Sequence, residues 1–202
     1  MLAELILACA PALDPRLASA LIKQESNYNQ FAIGMDSKHN IKLSRQPKNV
    51  QEAVVTASDL AQKGYSFSVG LTQIHITNVK KWGISWEQAF TPCTSLQISQ
   101  SIFLSFYKIA QNSGYRDQNA VFAALRGYNS GSVNAQVSNS YASSILANAT
   151  KTVFLTSLPK SDNLQIANQN VTKPSSPARQ AITANSPDFE EGERQEMKEG
   201  VQ

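Results

Sequence analysis

Apolar residues recur three and four positions apart in several stretches of this chain, and that period dictates a helical fold. Val50, Ala53, Val54, Ala57, Leu60 and Ala61 follow it between 49 and 63. Leu96, Ile98, Ile102, Phe103, Phe106, Ile109 and Ala110 form a broader face between 94 and 112. Tyr141, Ile145, Leu146, Ala149 and Val153 do so between 139 and 155. Such spacing places side chains on one side of a 3.6-residue turn, where they can be buried together.

Start and stop signals divide the chain accordingly. A short helix over 2–10 ends at Pro11. Asp14-Pro15 opens the next, with Asp14 as N-cap and Pro15 at the first helical position; it runs to Ser26 or Asn27. Residues 27–49 carry no sustained period and read as a loop or small irregular lobe. The 49–63 helix stops at Gly64. Residues 65–78 read as a turn leading into a short helical segment, and 85–90 as another turn of helix. Asp117 caps a helix over 118–125 that Gly127 ends. No strand-rich region and no internal repeat is visible. The expected fold class is mainly α.

Composition shifts at about residue 158. Pro159, Pro174, Pro177 and Pro187 punctuate a stretch rich in Ser, Asn, Gln, Glu and Lys, with Phe189 as its one aromatic residue. Such a segment buries too little apolar area to offset its ordering entropy. We therefore expect one domain over 1–158 and a disordered polar tail over 159–202. The net charge of +3 is uneven. Residues 1–158 carry 13 Lys/Arg against 8 Asp/Glu, a net of +5, and the tail has a net of −2. A moderately basic domain suits an anionic polymer or surface, and ordinary solubilising charge accounts for it equally well. The basic residues are scattered, with no Arg-rich helix, so nucleic acid is not an expected partner. No apolar run approaches the ~20 residues of a membrane span. Met1 to Pro11 is apolar but carries Glu4 and lacks a basic leading region, so it reads poorly as a cleavable signal. Cys9 and Cys93 form no CxxC pair, and His39 and His75 are far from both in sequence, which argues against a zinc site.

One charge stands out. Leu17, Leu21 and Glu25 are spaced i, i+4, i+8 along the helix that Asp14 opens. A carboxylate at the end of an inward-facing stripe is either paired or kept protonated for proton transfer. Arg16 and Lys23 fall on other faces. Two further islands are rich in polar groups and glycine: Gly70-Leu71-Thr72-Gln73-Ile74 with Asn78, and Ala124-Leu125-Arg126-Gly127-Tyr128-Asn129-Ser130-Gly131.

In this order, the three islands resemble the goose-type lysozyme-like lytic transglycosylases, in particular the VirB1 type of type IV secretion and conjugation systems. The resemblance spans about residues 8–150. It includes Cys9-Ala10-Pro11, Glu25-Ser26, Tyr28 to Gly34, Ser68 to Ile74, Phe90 to Leu96, and Tyr128-Asn129-Ser130-Gly131. It implies a lysozyme-like (SLT) domain with a glycan-binding groove, no cofactor or metal, and a periplasmic place of action. It also favours a Cys9–Cys93 disulfide over two separate buried thiols.

The resemblance makes Glu25 the catalytic acid. Cleaving a β-1,4 glycosidic bond requires protonating a poor leaving group, and a Glu among neutral groups holds its proton longer. The same residue then takes the proton of the C6 hydroxyl of N-acetylmuramic acid, giving a 1,6-anhydro sugar without water. Ser26, Gly70, Gln73, Tyr128 and Asn129 are the candidate substrate-binding residues. Ser26 would fix Glu25, Gly70 would let the sugar approach the backbone, and Gln73 would offer its amide to the glycan. Tyr128 would donate to Glu25 or pack on the sugar, and Asn129, in a loop, would hold the N-acetyl group or cap the next turn. His75, Thr72 and Gly127 depart from the family's usual residues. His75 is expected to line the groove or face solvent. Trp82 and Trp86 read as sugar platforms or core. Lys80-Lys81 reads as a solvated basic face.

The same residues admit two competing functions. Asp36, in the loop after the first island, could activate water and make the protein a muramidase. Alternatively the domain binds glycan without cleaving it, while the tail 159–202 recruits components of the secretion apparatus.

Overall fold

The computed structural model describes residues 2–37 and 41–151. The tail 159–202, and the end of the helix expected over 139–155, lie outside the described residues.

The described chain is mainly helical, as expected. Its helices are α1 (Leu2–Cys9), α2 (Pro15–Ser26), α3 (Val50–Gln62), α4 (Ile76–Trp82), α5 (Trp86–Phe90), α6 (Pro92–Asn112), α7 (Asp117–Ser130) and α8 (Asn139–Lys151). Local chemistry sets several of their ends. Asp14 accepts from the Arg16 backbone N–H at 2.8 Å, and Asn27 closes α2 in a left-handed conformation. Asn49 accepts from the Glu52 N–H at 2.9 Å to open α3. Ser85 and Gln88 form a reciprocal capping box on α5. Where Asp117 was expected to cap α7, Arg116 occupies that place without a side-chain hydrogen bond.

The core is one cluster to which all the helices and the sheet contribute. Helix α6 runs through its middle, burying Leu96, Ile98, Ile102, Phe103, Phe106 and Ala110. Helices α7, α1 and α5 pack on α6, and α8 packs on both α2 and α7. Phe103 stacks with Tyr107, and Trp86 with Phe67 at 5.6 Å between centroids. Trp82 and Trp86 both pack against the core cluster. The Cys9–Cys93 bridge joins the end of α1 to the first turn of α6, with Cα atoms 5.2 Å apart at a sequence separation of 84. In the chain-entropy model, closing a loop that long stabilises the fold by about 4–5 kcal/mol. Ile6 and Cys9 are buried, so α1 is part of the folded domain.

Two expectations need correction. Segments 27–49 and 65–78 contribute a small antiparallel sheet, ordered β1 (Ile33–Met35), β2 (Phe67–Val69), β3 (Ile74–His75). Ile33 faces Val69, Met35 faces Phe67, and Ser68 faces His75. These strands are too short to display a two-residue period. β2 is also buried at every position, which erases any alternation. The second correction concerns Gly127, which does not end α7. The helix continues to Ser130, and Gly131 at φ 79 closes it. Gly127 is where α7 comes closest to α6: a Cβ there would lie 2.4 Å from the Phe106 ring. The glycine serves helix packing, so Tyr128 and Asn129 are helical rather than in a loop.

Candidate active site

Glu25 sits in the last turn of α2, half-buried, on the stripe begun by Leu17 and Leu21. Helix α8 packs against this end of α2, and the Tyr141 hydroxyl donates to Glu25 Oε1. One turn further along α8, the Ser144 hydroxyl donates to Gln24 Oε1 at 3.0 Å. Tyr141 is 9% exposed. Burial, and secondarily the neighbouring Tyr128, hold its pKa well above 10.0. It therefore remains a protonated, neutral donor through the physiological range. The sequence placed Tyr141 on an apolar stripe, and nothing in that pattern marks its hydroxyl as a partner of Glu25.

Ser26 ties the first island to the second. Its hydroxyl donates to Leu71 O at 2.7 Å and, more weakly, to Ile22 O at 3.3 Å. Leu71 belongs to the Gly70–Gln73 turn between β2 and β3, which is pinned from several sides. Thr72 is fully buried and bonded to Ser95 through both its backbone N–H and its hydroxyl. Gly70 has φ +79, and a Cβ there would meet the Ala89 carbonyl at 2.6 Å. Packing against α5 therefore requires glycine at this position.

Gln73 is 8% exposed, and its amide Nε2 donates to the carbonyls of Ala32 and Gly70, both at 3.0 Å. An amide nitrogen has two hydrogens, and both are committed to backbone. Gln73 thus holds the turn onto β1 where a donor to glycan was expected.

Tyr128 joins the third island to the second. Its hydroxyl donates to Thr72 O at 2.9 Å and pairs with Ser99 Oγ at 3.0 Å. A phenol has one proton, and a carbonyl can only accept, so that proton is committed to Thr72. The expected donor to Glu25 is replaced by Tyr141. Burial pushes the Tyr128 pKa up to about 12, against the opposing effect of its hydrogen bonds. Asn129 is 2% exposed and donates to Ser138 Oγ at 3.0 Å. Of its two expected roles, the structure shows a bond to the following turn. The three islands therefore do converge, and the Gly70–Gln73 turn is their hub.

The other carboxylate near the first island is differently housed. Asp36 follows β1 and is 6% exposed. Ser66 Oγ donates to its Oδ2, and His75 Nε2 lies 3.3 Å from the same oxygen and 2.9 Å from Ser66 Oγ. His75 Nδ1 accepts the Thr77 backbone N–H at 3.2 Å, capping α4. An amide N–H can only donate, so Nδ1 is unprotonated and the ring hydrogen sits on Nε2, facing Asp36 and Ser66. His75 is 6% exposed, which corrects the expectation that it lines a groove or faces solvent. Its side chain links the sheet to α4. Among the described residues, no group of three or more His, Cys, Asp or Glu is placed to hold a metal ion.

Strain is concentrated around the acid. Among the described residues four non-glycine residues have positive φ, and three lie in or next to these islands: Asn27 at 51°, Tyr28 at 66° and Gln73 at 51°. Such conformations cost on the order of 1–3 kcal/mol each and persist where surrounding structure enforces them.

The family model for the transglycosylase SLT domain matches residues 5–149. The type IV secretion system protein virB1 of Brucella abortus is 36% identical over 125 residues, covering 61% of this chain and 51% of that relative. The same identity and coverage hold for the protein of that name from Brucella suis. Protein virB1 of Agrobacterium fabrum is 29% identical over 155 residues, covering 76% of this chain and 62% of the relative. The chain thus spans about half the length of the Brucella relatives. No solved structure gives a significant match. Matched over most of its length, the chain belongs to the transglycosylase SLT-domain family, whose fold is lysozyme-like, and within it resembles the VirB1 proteins.

Proposed function

We propose that the protein is a periplasmic lytic transglycosylase. It cleaves the β-1,4 bond between N-acetylmuramic acid and N-acetylglucosamine in peptidoglycan and leaves 1,6-anhydro ends. The observation that carries this reading is the half-buried Glu25 with a neutral hydroxyl donor, Tyr141, on Oε1. Glu25 protonates the bridging oxygen as the C1–O bond breaks. Its carboxylate then takes the C6 hydroxyl proton as O6 attacks C1. The proton that leaves Glu25 is thereby returned, and no water is consumed. Tyr141 holds the carboxylate in place, Ser26 anchors the end of α2, and Gly70, Gln73, Tyr128 and Asn129 frame the site.

Against a water-activating role for Asp36 stand its burial and its bonds to Ser66 and His75. The VirB1 relatives support a place beside a type IV secretion or conjugation apparatus, which local opening of the wall would let assemble. Residues 159–202 are the segment we assign to contacts with its components.

The test is digestion of purified peptidoglycan by the full chain and by a chain lacking 159–202, with products read by mass spectrometry. Both should give 1,6-anhydro muropeptides, and only the full chain should support the apparatus. Reducing-end products would identify a muramidase instead. No products would sink the enzymatic reading.

A further inference from the structure

The turn that follows Glu25 carries a side chain its backbone does not favour. Asn29 N–H donates to Ser26 O at 3.1 Å, closing a four-residue turn around Asn27 and Tyr28. Both central residues have positive φ, 51° and 66°, as in a type I′ turn. Asn suits the first such position and Gly the second, because a Cβ is disfavoured there. Asn27 obeys this rule, and Tyr28 breaks it with a bulky aromatic ring. The turn is fixed on both flanks: Asn27 N–H donates to Lys23 O at 3.1 Å, and Asn29 Oδ1 accepts from Phe31 N–H at 2.9 Å.

The ring is not repaid by packing within the fold. Tyr28 is 46% exposed, more than any other tyrosine among the described residues. Its side chain makes no hydrogen bond or ring contact among the described residues. A chain of three residues reaches at most about 11 Å, so the Tyr28 backbone lies within that distance of Glu25.

From this we infer that Tyr28 is a sugar platform: a ring of the substrate glycan rests on its aromatic face, beside the bond that Glu25 attacks. The inference rests on the peptidoglycan reading above and adds a specificity-determining residue to it. The face of a pyranose that carries axial hydrogens is apolar and flat, and an unpartnered aromatic ring matches it in size and polarity. A ligand accounts for the position where internal packing does not, since strain beside a reactive group is retained when function uses it.

The test separates binding from catalysis and from folding. Full-length Glu25→Gln protein is cosedimented with insoluble peptidoglycan, alone and combined with Tyr28→Gly or Tyr28→Phe. Glu25→Gln should bind. Adding Tyr28→Gly should weaken binding roughly five- to tenfold, the scale of one aromatic contact. Adding Tyr28→Phe should change it less than twofold. Tyr28→Gly should also raise Tm by about 2–4 °C, because glycine relieves the turn, so weaker binding cannot be attributed to unfolding. Unchanged binding in the glycine variant, a loss in the phenylalanine variant equal to that of glycine, or a fall in Tm would overturn the inference. If Glu25→Gln itself fails to bind, the peptidoglycan reading falls and this inference with it.

Discussion

Glu25 and Asp36 are both carboxylates drawn into the fold near the same sheet and turn, and their company differs. Asp36 is almost fully enclosed and meets two donors, the Ser66 hydroxyl and the Nε2–H of His75. Glu25 is half-buried and meets a tyrosine that stays neutral. A carboxylate enclosed by donors inside a fold is a structural tie, and a half-buried carboxylate beside a neutral hydroxyl donor is available for proton transfer. The comparison teaches that burial by itself does not single out the reactive acid. The way the neighbouring groups enclose it does, together with the access left to solvent.

Exchanging one function for the other should therefore be impossible. Replacing Glu25 by Gln should lower glycan cleavage by about 10²–10⁴-fold, the usual contribution of a positioned general acid, while urea unfolding stays within experimental scatter of the parent. Cleavage at the parent rate would show that the chemistry lies elsewhere. Asp36→Asn should do the reverse. Losing a charge-assisted bond inside the sheet should cost about 2 kcal/mol of stability in urea unfolding, with kcat changed less than twofold and the same products released. A collapse of kcat with stability intact would revive Asp36 as a catalytic base. The smallest effect tests the partner: Tyr141→Phe keeps the ring and removes the hydroxyl. We expect kcat to fall about tenfold with KM and Tm nearly constant, as for one hydrogen bond to a charged group. An unchanged kcat would reduce the Tyr141–Glu25 contact to packing.

Much of the helical frame was legible because long apolar stripes and their caps are local signals. Asp14, Pro15, Asn49 and Gly64 marked boundaries within a residue or two. The sheet was not legible, because β1 and β2 have three residues each and β3 has two. Elements that short are held by their neighbours rather than by their own period. Gly127 was read as a stop because glycine ordinarily is one, whereas here contact with Phe106 on α6 demands it. Roles within the site were legible only in part. The residues named from sequence do assemble, but Gln73, Tyr128 and Asn129 turn their polar atoms toward backbone and neighbouring side chains.

The amino-acid sequence determined that this chain is mainly helical, that α2 ends at Glu25-Ser26, and that Cys9 and Cys93 are available to bridge. Those properties follow from spacing and residue type along a short stretch. Only the tertiary structure decided which hydroxyl meets Glu25, that Asp36 is tied to Ser66 and His75, and that Tyr28 is left exposed on a strained turn. Glu25 and Tyr141 are separated by 116 residues, and no local pattern encodes a contact made by packing α8 against α2.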